Sequence, residues 1–375
     1  MTEPPQPSEP MRRALDLARS VLGKTSPNPA VGAVIAQGAS IVGEGAYQGP
    51  GTPHAEIVAL QRAGELARGA TAYVTLEPCS HDRTRDGQPR VSCAQALIDA
   101  GVARVVYAIE DPDPRTAGRG AAMLREAGIA VESGDGAFES ARILEAYLKH
   151  RTTGRPFVIA KFAASLDGKI AAASGDSRWV AGEAARARAH EERARVDAII
   201  CGVNNVLLDD PQLTARPAGR LAERQPLRIV ADSKGRTPLD AKVLGPGGPT
   251  IIATTEASSP AWRQAIVERG AEALVLPAGE DGRVDLEALL DELGRREALS
   301  LLVEGGGVLL GSFFDRRLVD KVTAFIAPVI IGGGPYDAVA GRGAEKMADA
   351  LRLRDVTIER LGDDVLVVGY PTGTP

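Results

Sequence analysis

The sequence predicts an α/β protein built from two consecutive domains, and three observations carry this prediction. The chain has 375 residues, more than one ordinary hydrophobic core uses. Strand-like apolar runs alternate with segments of helical spacing along its length. A polar stretch with Gly154 and Pro156 interrupts this alternation, and we place the boundary near residue 152, with domains over residues 11–151 and 152–375.

Composition narrows the class of protein. Hydrophobic residues make up 44% of the chain and charged residues 25%, as in globular proteins. A net charge of −5 and only 4% aromatic residues argue against a nucleic acid partner. No apolar run is long enough to cross a membrane, and the polar, proline-rich residues 1–10 predict a disordered tail rather than a signal peptide. Three cysteines give no disulfide framework, which indicates a cytoplasmic protein.

The elements of the first domain follow from local patterns. Alternating strands and helices indicate helices packed on a mixed sheet. Helical apolar spacing predicts helices over residues 11–22, 55–66, 94–100, 120–128 and 139–149. β-Rich runs predict strands over residues 31–36, 40–44, 72–76, 102–109 and 129–131.

One histidine and two cysteines in this domain predict a catalytic zinc site. His54 lies at the predicted start of helix 55–66, Cys79 follows a strand, and Cys93 opens the next helix. Three protein ligands leave the fourth position of a tetrahedral zinc open for water. Glu56 lies two residues after His54 and is placed to shuttle protons without binding the metal, as in zinc deaminases.

The alternative is that Cys79 and Cys93 are buried thiols and His54 is a surface residue. The chain has only three Cys and four His, so this arrangement is improbable by chance. The zinc deaminase signature places its two cysteines closer together, whereas residues 80–92 separate them here. Cys201 lies in an apolar run and is predicted to be a core residue.

Five short motifs of the first domain carry a resemblance to a known family. They are Thr25-x-Pro27-Asn28-Pro29, Val42-Gly43-Glu44-Gly45, Pro53-His54-Ala55-Glu56, Leu76-Glu77-Pro78-Cys79-Ser80-His81 and Asp111-Pro112-x-Pro114. Together they resemble the deaminase half of the bifunctional riboflavin biosynthesis proteins. The resemblance implies a cytidine-deaminase-like three-layer fold with one Zn²⁺ per chain. The implied substrate is a diaminohydroxypyrimidine attached to phosphoribosylamine, which loses one exocyclic amine as ammonia.

The same resemblance implies further contacts and two departures. Asn28, between two prolines, is a candidate contact for the pyrimidine or ribose, with a turn-capping role as the alternative. His81 is a second candidate. Residues 80–92 are longer than in the family, and Tyr47 stands where the family usually has His. Lengthening a loop costs little free energy, so we expect the zinc site to survive. The deaminase is nevertheless the half more at risk of being inactive.

The second domain is predicted to contain a mostly parallel sheet with helices between its strands. Strands are predicted over residues 157–163, 196–201, 227–231, 250–253, 273–276, 300–303, 322–331 and 365–368. Helices are predicted over residues 183–195, 260–270, 286–295 and 308–314.

Two turns in this domain are suited to phosphate. The glycines after Glu304 follow a strand and precede a helix, where backbone N–H groups can approach a pyrophosphate. The alternative is a plain tight turn. Ser233 and Arg236 follow another strand and could hold a 2′-phosphate, or could form an exposed turn.

Motifs of the second domain resemble the reductase half of the same family. They are Lys161-x-Ala163-x-Ser165-Leu166-Asp167-Gly168-Lys169, Asp209-Asp210-Pro211-x-Leu213-Thr214-x-Arg216 and Glu304-Gly305-Gly306. The resemblance implies a dihydrofolate-reductase-like α/β fold and NADPH-dependent reduction of the ribosyl group to ribityl. It places the NADP(H) site at Ala163, Trp179, Asn205, Asp209, Ser233, Gly306, Gly307, Val308, Leu309, Leu310, Gly311 and Ser312. It places substrate contacts at Ser177, Arg193, Leu213, Arg216 and Glu304.

Several questions stay open at this point. Arg193 and Arg216 are suited to gripping phosphate as guanidinium forks. Asp209 is the leading candidate for a proton donor in the reduction and Lys161 is the alternative, with a structural role as the other interpretation of each. The family associates through its reductase half, which predicts a homo-oligomer, and the implied partners are small phosphoribosylaminopyrimidines. The rival interpretations are a chain with one live activity, a nucleic-acid editing protein and a structural zinc module. The last usually takes four protein ligands, and only three are evident.

Overall fold

The computed structural model describes residues 5–83 and 87–373, and the chain divides into two units, Met1–Gly154 and Arg155–Pro375. Both units are α/β, as predicted. No helix within the described residues is of the length and apolarity that crossing a bilayer requires.

The first unit contains a five-stranded sheet. Its strands are β1 (Gly32–Gln37), β2 (Ser40–Ala46), β3 (Thr71–Val74), β4 (Arg104–Tyr107) and β5 (Ala130–Ser133). Their order is β2-β1-β3-β4-β5. β1 pairs antiparallel with β2 and β3, whereas β3, β4 and β5 are parallel neighbours. The prediction of a mixed sheet is confirmed.

Six helices accompany this sheet. They are α1 (Glu9–Ser20), α2 (Ala55–Ala63), α3 (Cys93–Asp99), α4 (Arg119–Glu126), α5 (Ala137–Ile143) and α6 (Glu145–Thr153). The helix predicted over residues 139–149 is thus two helices, which meet at Leu144. β2 lies directly against α2. The approach is so close that a Cβ on Gly43 would lie 2.2 Å from the carbonyl oxygen of Ala59. Only glycine permits so close an approach, and it positions the helix that carries Glu56.

The prediction of a disordered tail over residues 1–10 is wrong at the C-terminal end of that segment. α1 already begins at Glu9, and Pro10 lies in its first turn, where a missing N–H costs nothing. Ser8 donates its backbone N–H (3.0 Å) and its hydroxyl (2.5 Å) to the Asp135 carboxylate. These contacts order the chain from Ser8 onward; residues 1–4 lie outside the described part.

The second unit contains a nine-stranded sheet. Its strands are β6 (Phe157–Ser165), β7 (Ala198–Gly202), β8 (Leu227–Ala231), β9 (Thr250–Thr254), β10 (Glu272–Val275), β11 (Ser300–Glu304), β12 (Lys321–Ala327), β13 (Leu353–Leu361) and β14 (Asp364–Pro371). The order is β10-β9-β8-β7-β11-β6-β12-β14-β13. All pairings from β10 to β12 are parallel, and β14 and β13 add an antiparallel hairpin. The prediction of a mostly parallel sheet is confirmed.

The helices of this unit are α7 (Glu183–Arg195), α8 (Val203–Asp209), α9 (Pro260–Glu268), α10 (Leu286–Arg295) and α11 (Gly307–Asp315). Side chains of α10 and α11, among them Leu289 and Phe313, pack with the central strands in one hydrophobic core.

Two elements were absent from the prediction and one was too long. α8 has only seven residues, too short for a periodic pattern to stand out. β13 is exposed along most of its length, and its sequence does not show the regular alternation of apolar and polar residues that predicts a strand. β12 ends at Ala327 rather than at residue 331, because Pro328 has no N–H to donate to a ladder.

Candidate active sites

The three predicted zinc ligands meet in the first unit. His54 is the N-cap of α2, Cys79 lies in the loop after β3, and Cys93 is the first residue of α3. His54 Nδ1 lies 3.3 Å from Cys93 Sγ and 3.8 Å from Cys79 Sγ. A tetrahedral zinc with ordinary bond lengths separates its nitrogen and sulfur ligands by about 3.5 Å. The ligand set therefore fits zinc, and the long segment between the cysteines does not displace Cys93.

Hydrogen bonds within the cluster favour one thiolate. The pKa of Cys79 lies well below its usual range, first because the Cys93 thiol donates to it and second because His54 does. The backbone N–H of Cys93 also points at Cys79 Sγ, at 3.5 Å. The same hydrogen bond between the sulfurs raises the pKa of Cys93. Loss of the second proton is the step that a bound metal promotes.

Glu56 lies in the first turn of α2 with only 4% of its surface exposed. Burial raises its pKa, and the nearby charge of His54 opposes that rise. The carboxyl group faces a cavity of about 770 Å³ together with the three ligands. A buried carboxyl beside a metal site is suited to carrying a proton to a bound molecule.

Asn28 and Tyr47 form one wall of this cavity. Asn28 Nδ2 donates to Tyr47 Oη at 2.7 Å, so the amide side chain does not cap its own turn. The Tyr47 ring meets the His54 ring edge-on, with centroids 5.3 Å apart. Asn28, Tyr47 and His54 thus form one contiguous surface of the cavity. His81 also lines the cavity, with its Nδ1 buried and no partner among the described residues.

Two residues at this site were missed by the sequence reasoning. Glu77 is buried and accepts backbone N–H groups from Gly118 (2.9 Å) and Ala121 (3.0 Å), which ties α4 to the loop carrying Cys79. Its place beside Pro78 in a recognised motif was a usable signal. Arg90 contacts the ligands themselves, and its sequence context, a loop of unusual length, held no such signal.

Asp111 lies at another wall of the cavity, where Tyr147 Oη donates to it at 3.0 Å. Burial raises its pKa to about 6. Since the folded protein holds this proton more tightly than the unfolded chain, wild type gains stability as pH falls from about 6 toward 3.8.

We therefore expect Asp111→Asn to be more stable than wild type at pH 7, by up to about 3 kcal/mol, and to lose this advantage near pH 4. Urea unfolding across this pH range measures the difference. Asp113→Asn is the matched control of opposite sign. Its pKa is lowered to about 2 by the hydrogen bond from Arg115, so its replacement destabilises at pH 7. A pH-independent effect of Asp111→Asn would contradict the assignment.

Two clefts among the described residues of the second unit lie at the carboxyl ends of its parallel strands, where open α/β sheets bind ligands. The larger, of about 880 Å³, is lined by the predicted cofactor residues Asn205, Asp209, Ser233, Gly306, Gly307, Val308, Leu309 and Ser312. The smaller, of about 580 Å³, is lined by all five predicted substrate residues, Ser177, Arg193, Leu213, Arg216 and Glu304, and by Ala163, Trp179 and Leu310. Ser177, Asn205, Asp209 and Gly306 line both clefts.

The predicted cofactor residues are therefore divided between two clefts, and one of them lies elsewhere. Gly311 lines neither cleft, because its Cα faces the backbone: an added Cβ would lie 1.7 Å from Ala340 O. Its glycine serves packing of α11. Ala163 and Trp179 lie in the smaller cleft beside the predicted substrate residues.

The larger cleft fits a phosphorylated dinucleotide. Gly306 has a φ of +73°, and an added Cβ would lie 2.4 Å from Asn205 Oδ1, so the turn before α11 requires glycine. Gly307 and Val308, in the first turn of α11, line the cleft, and the first N–H groups of a helix are suited to binding phosphate. Lys234 and Arg236 line the same cleft and supply the cationic groups that a 2′-phosphate needs.

A buried ion triad lies beneath the smaller cleft. Glu304 accepts from Lys161 Nζ at 2.8 Å and from both Nε and Nη2 of Arg193 at 2.7 Å. Arg193 Nη1 donates to Thr214 O at 3.1 Å. The fork geometry that suggested a phosphate contact for Arg193 is thus used within the protein. Ser177 Oγ donates to Asp209 Oδ1 at 3.0 Å, so both candidate proton donors sit in hydrogen-bonded pairs.

Comparison with known proteins relates both units to one group of enzymes. Residues 156–367 match the family model described as the RibD C-terminal domain. Residues 5–109 match the model of the cytidine and deoxycytidylate deaminase zinc-binding region. The riboflavin biosynthesis protein RibD of Escherichia coli (strain K12) is 41% identical over 368 residues, covering 95% of this chain and 96% of that protein.

Solved structures also resemble the whole chain. Acinetobacter baumannii RibD, form 1, superposes with a TM-score of 0.84 at 36% identity, covering 97% of this chain and 98% of the other. The diaminohydroxyphosphoribosylaminopyrimidine deaminase/5-amino-6-(5-phosphoribosylamino)uracil reductase of Thermotoga maritima superposes with a TM-score of 0.82 at 33% identity. That match covers 96% of this chain and 97% of the other.

Proposed function

Because the chain belongs to the RibD family of riboflavin biosynthesis proteins, we propose that it catalyses two consecutive steps on one substrate. It is a bifunctional deaminase and reductase with Zn²⁺ and NADPH as cofactors. The substrate we propose is diaminohydroxyphosphoribosylaminopyrimidine, which the first site deaminates to 5-amino-6-(5-phosphoribosylamino)uracil, the compound that the second site reduces. The observation that carries the proposal is the cluster of His54, Cys79 and Cys93 beside the buried Glu56.

In the first step, residues 11–151 act as the deaminase domain. His54, Cys79 and Cys93 would hold zinc, which when bound acts as a Lewis acid and makes water nucleophilic near neutral pH. Glu56 takes up a first proton from the attacking water at its carboxylate and delivers it to the ring nitrogen; it then takes up the second proton of that water and delivers it to the leaving amine. Burial, which raises the pKa of Glu56, suits this role of proton carrier. Asn28, held by Tyr47, hydrogen-bonds the pyrimidine or ribose.

In the second step, residues 152–375 act as the reductase domain. NADPH supplies a hydride when bound. Ser233, Lys234 and the start of α11 at Gly306 and Gly307 would hold its phosphates in the larger cleft. Arg216, Leu213 and Ser177 position the phosphoribosylamino group in the smaller cleft, so that C1′ of the ribose is reduced and the ring opens to a ribityl chain. Asp209 and Lys161 remain the alternative donors of the proton.

Glu56→Gln tests the first step. We expect deamination, measured as ammonia release, to fall by a factor of about 100 to 10,000, the usual contribution of a general acid–base. Zinc content stays at the wild-type value because Gln leaves the three ligands in place. Glu65→Gln, on an exposed position of the same unit, is the control and keeps full activity. Unchanged ammonia release by Glu56→Gln would overturn the role.

Separate assays of the two reactions test the rival interpretation, in which the chain has only one of the two activities. NADPH oxidation with the deaminated substrate reports on the reductase alone, and ammonia release reports on the deaminase alone.

We also propose that the enzyme works in the cytoplasm, where thiols stay reduced, since all three cysteines are free. Association into a homo-oligomer through the reductase domain stays a prediction.

A further inference from the structure

The guanidinium of Arg90 lies against the metal-ligand cluster and is held on three sides. Nη2 donates to Cys79 Sγ at 2.8 Å, Nη1 lies 2.8 Å from His54 Nε2, and Nε donates to the carbonyl oxygen of His81 at 3.3 Å. The backbone N–H of Arg90 donates to Asp82 O at 2.7 Å, so the segment between the cysteines closes on itself next to this residue. The segment between the cysteines thus places a cation against the cluster.

Of the two ligand contacts, the one to sulfur is compatible with zinc. His54 presents Nδ1 to the two sulfurs, so a neutral imidazole that ligates through Nδ1 carries its proton on Nε2. Nε2 is then a donor, and it cannot accept a hydrogen bond from Arg90, which has only donors. A metal-ligating thiolate, in contrast, remains an acceptor. Cys79 Sγ is therefore the partner that Arg90 keeps.

We propose that Arg90 is a positioning residue of the metal centre, which donates a hydrogen bond to the Cys79 thiolate and thereby tunes the zinc. This inference rests on the assignment of His54, Cys79 and Cys93 as ligands. Two thiolates and a neutral histidine cancel the charge of Zn²⁺, and the adjacent guanidinium restores one positive charge. A hydrogen bond to sulfur also lowers the electron density that the thiolate gives to the metal. Both effects keep the zinc a stronger Lewis acid.

Cobalt in place of zinc provides a readout that is independent of turnover. In full-length protein loaded with Co²⁺, the sulfur-to-cobalt charge-transfer absorption reports the electron density on the thiolates. We expect Arg90→Met to move this absorption to longer wavelength, because the sulfur loses its hydrogen bond. Arg90→Lys retains a donor and moves it less. Zinc-loaded Arg90→Met is expected to lose about tenfold or more in deamination kcat/KM, as for other residues that support a ligand.

Arg83→Met is the matched control for the spectrum. Arg83 belongs to the same segment and lines the same cavity, but its guanidinium donates to Gly87 O rather than to a ligand. Its charge-transfer absorption should coincide with that of wild type. An Arg90→Met spectrum identical to wild type, or an equal shift in Arg83→Met, would overturn the role of Arg90 and leave the metal assignment intact. Absence of the absorption in wild type would overturn both.

Discussion

We expect Cys93→Ser to lose zinc and to lower deamination by at least about 1,000-fold, while NADPH-dependent reduction continues. The cluster offers three ligand atoms, His54 Nδ1 and the two sulfurs, so loss of one leaves too few to hold the metal. Zinc contributes several kcal/mol to the transition state, and each 1.36 kcal/mol is about tenfold in rate. Metal content, ammonia release and NADPH oxidation on one preparation measure all three consequences.

Cys201→Ala is the matched control for this substitution. Cys201 is a buried thiol of β7, and burial raises its pKa to about 12, so it is an inert core residue. This variant should keep zinc and ammonia release at wild-type values. Wild-type protein without zinc, or a Cys93→Ser variant that still deaminates, would show that the first unit is not the metal-dependent deaminase described above.

We expect Glu304→Gln to destabilise the second unit by about 3–5 kcal/mol and to abolish reduction. Glu304 is the anion with which both Lys161 and Arg193 pair in the triad. Its replacement removes that negative charge, and leaving a buried cation without its counter-charge costs free energy of folding. The two cations hold the pKa of Glu304 well below its ordinary value of 4.5, despite burial. The loss is therefore full above pH 4.5 and shrinks as pH falls below it. Urea unfolding at several pH values and NADPH oxidation measure the two effects.

Glu272→Gln is the control, since Glu272 forms a bidentate ion pair with Arg296 in the same unit at a position 43% exposed. Screening by water limits such a pair to about 1 kcal/mol. Equal losses in both variants would mean that the triad is an ordinary ion pair. A Glu304→Gln variant that still reduces its substrate at the wild-type rate would show that the triad is not needed for catalysis.

Much of the fold followed from local sequence. The strands from β6 to β11 and the helices α7 and α10 are long, strongly patterned segments, and the boundaries of α7 and α10 agree with the structure to the residue. Local pattern failed where it is weak: α8 is too short, and β13 is too exposed. The candidate metal-ligand set was also readable from the sequence alone, because His and Cys are scarce in this chain and have a distinctive chemistry.

Only the tertiary structure decided which side chains touch. From the sequence, Arg193 was a candidate for binding phosphate through its guanidinium. In the structure that guanidinium donates two hydrogen bonds to Glu304, which is distant in sequence. Gly311 looked like part of a nucleotide-binding turn, but Ala340 lies against it. Arg90 belongs to no recognised motif, and only the fold of its loop brings its guanidinium into hydrogen-bond contact with Cys79 Sγ. Residue chemistry and periodicity are local properties that a sequence carries, whereas partners separated by many residues are selected by packing and by the need to pair buried charges.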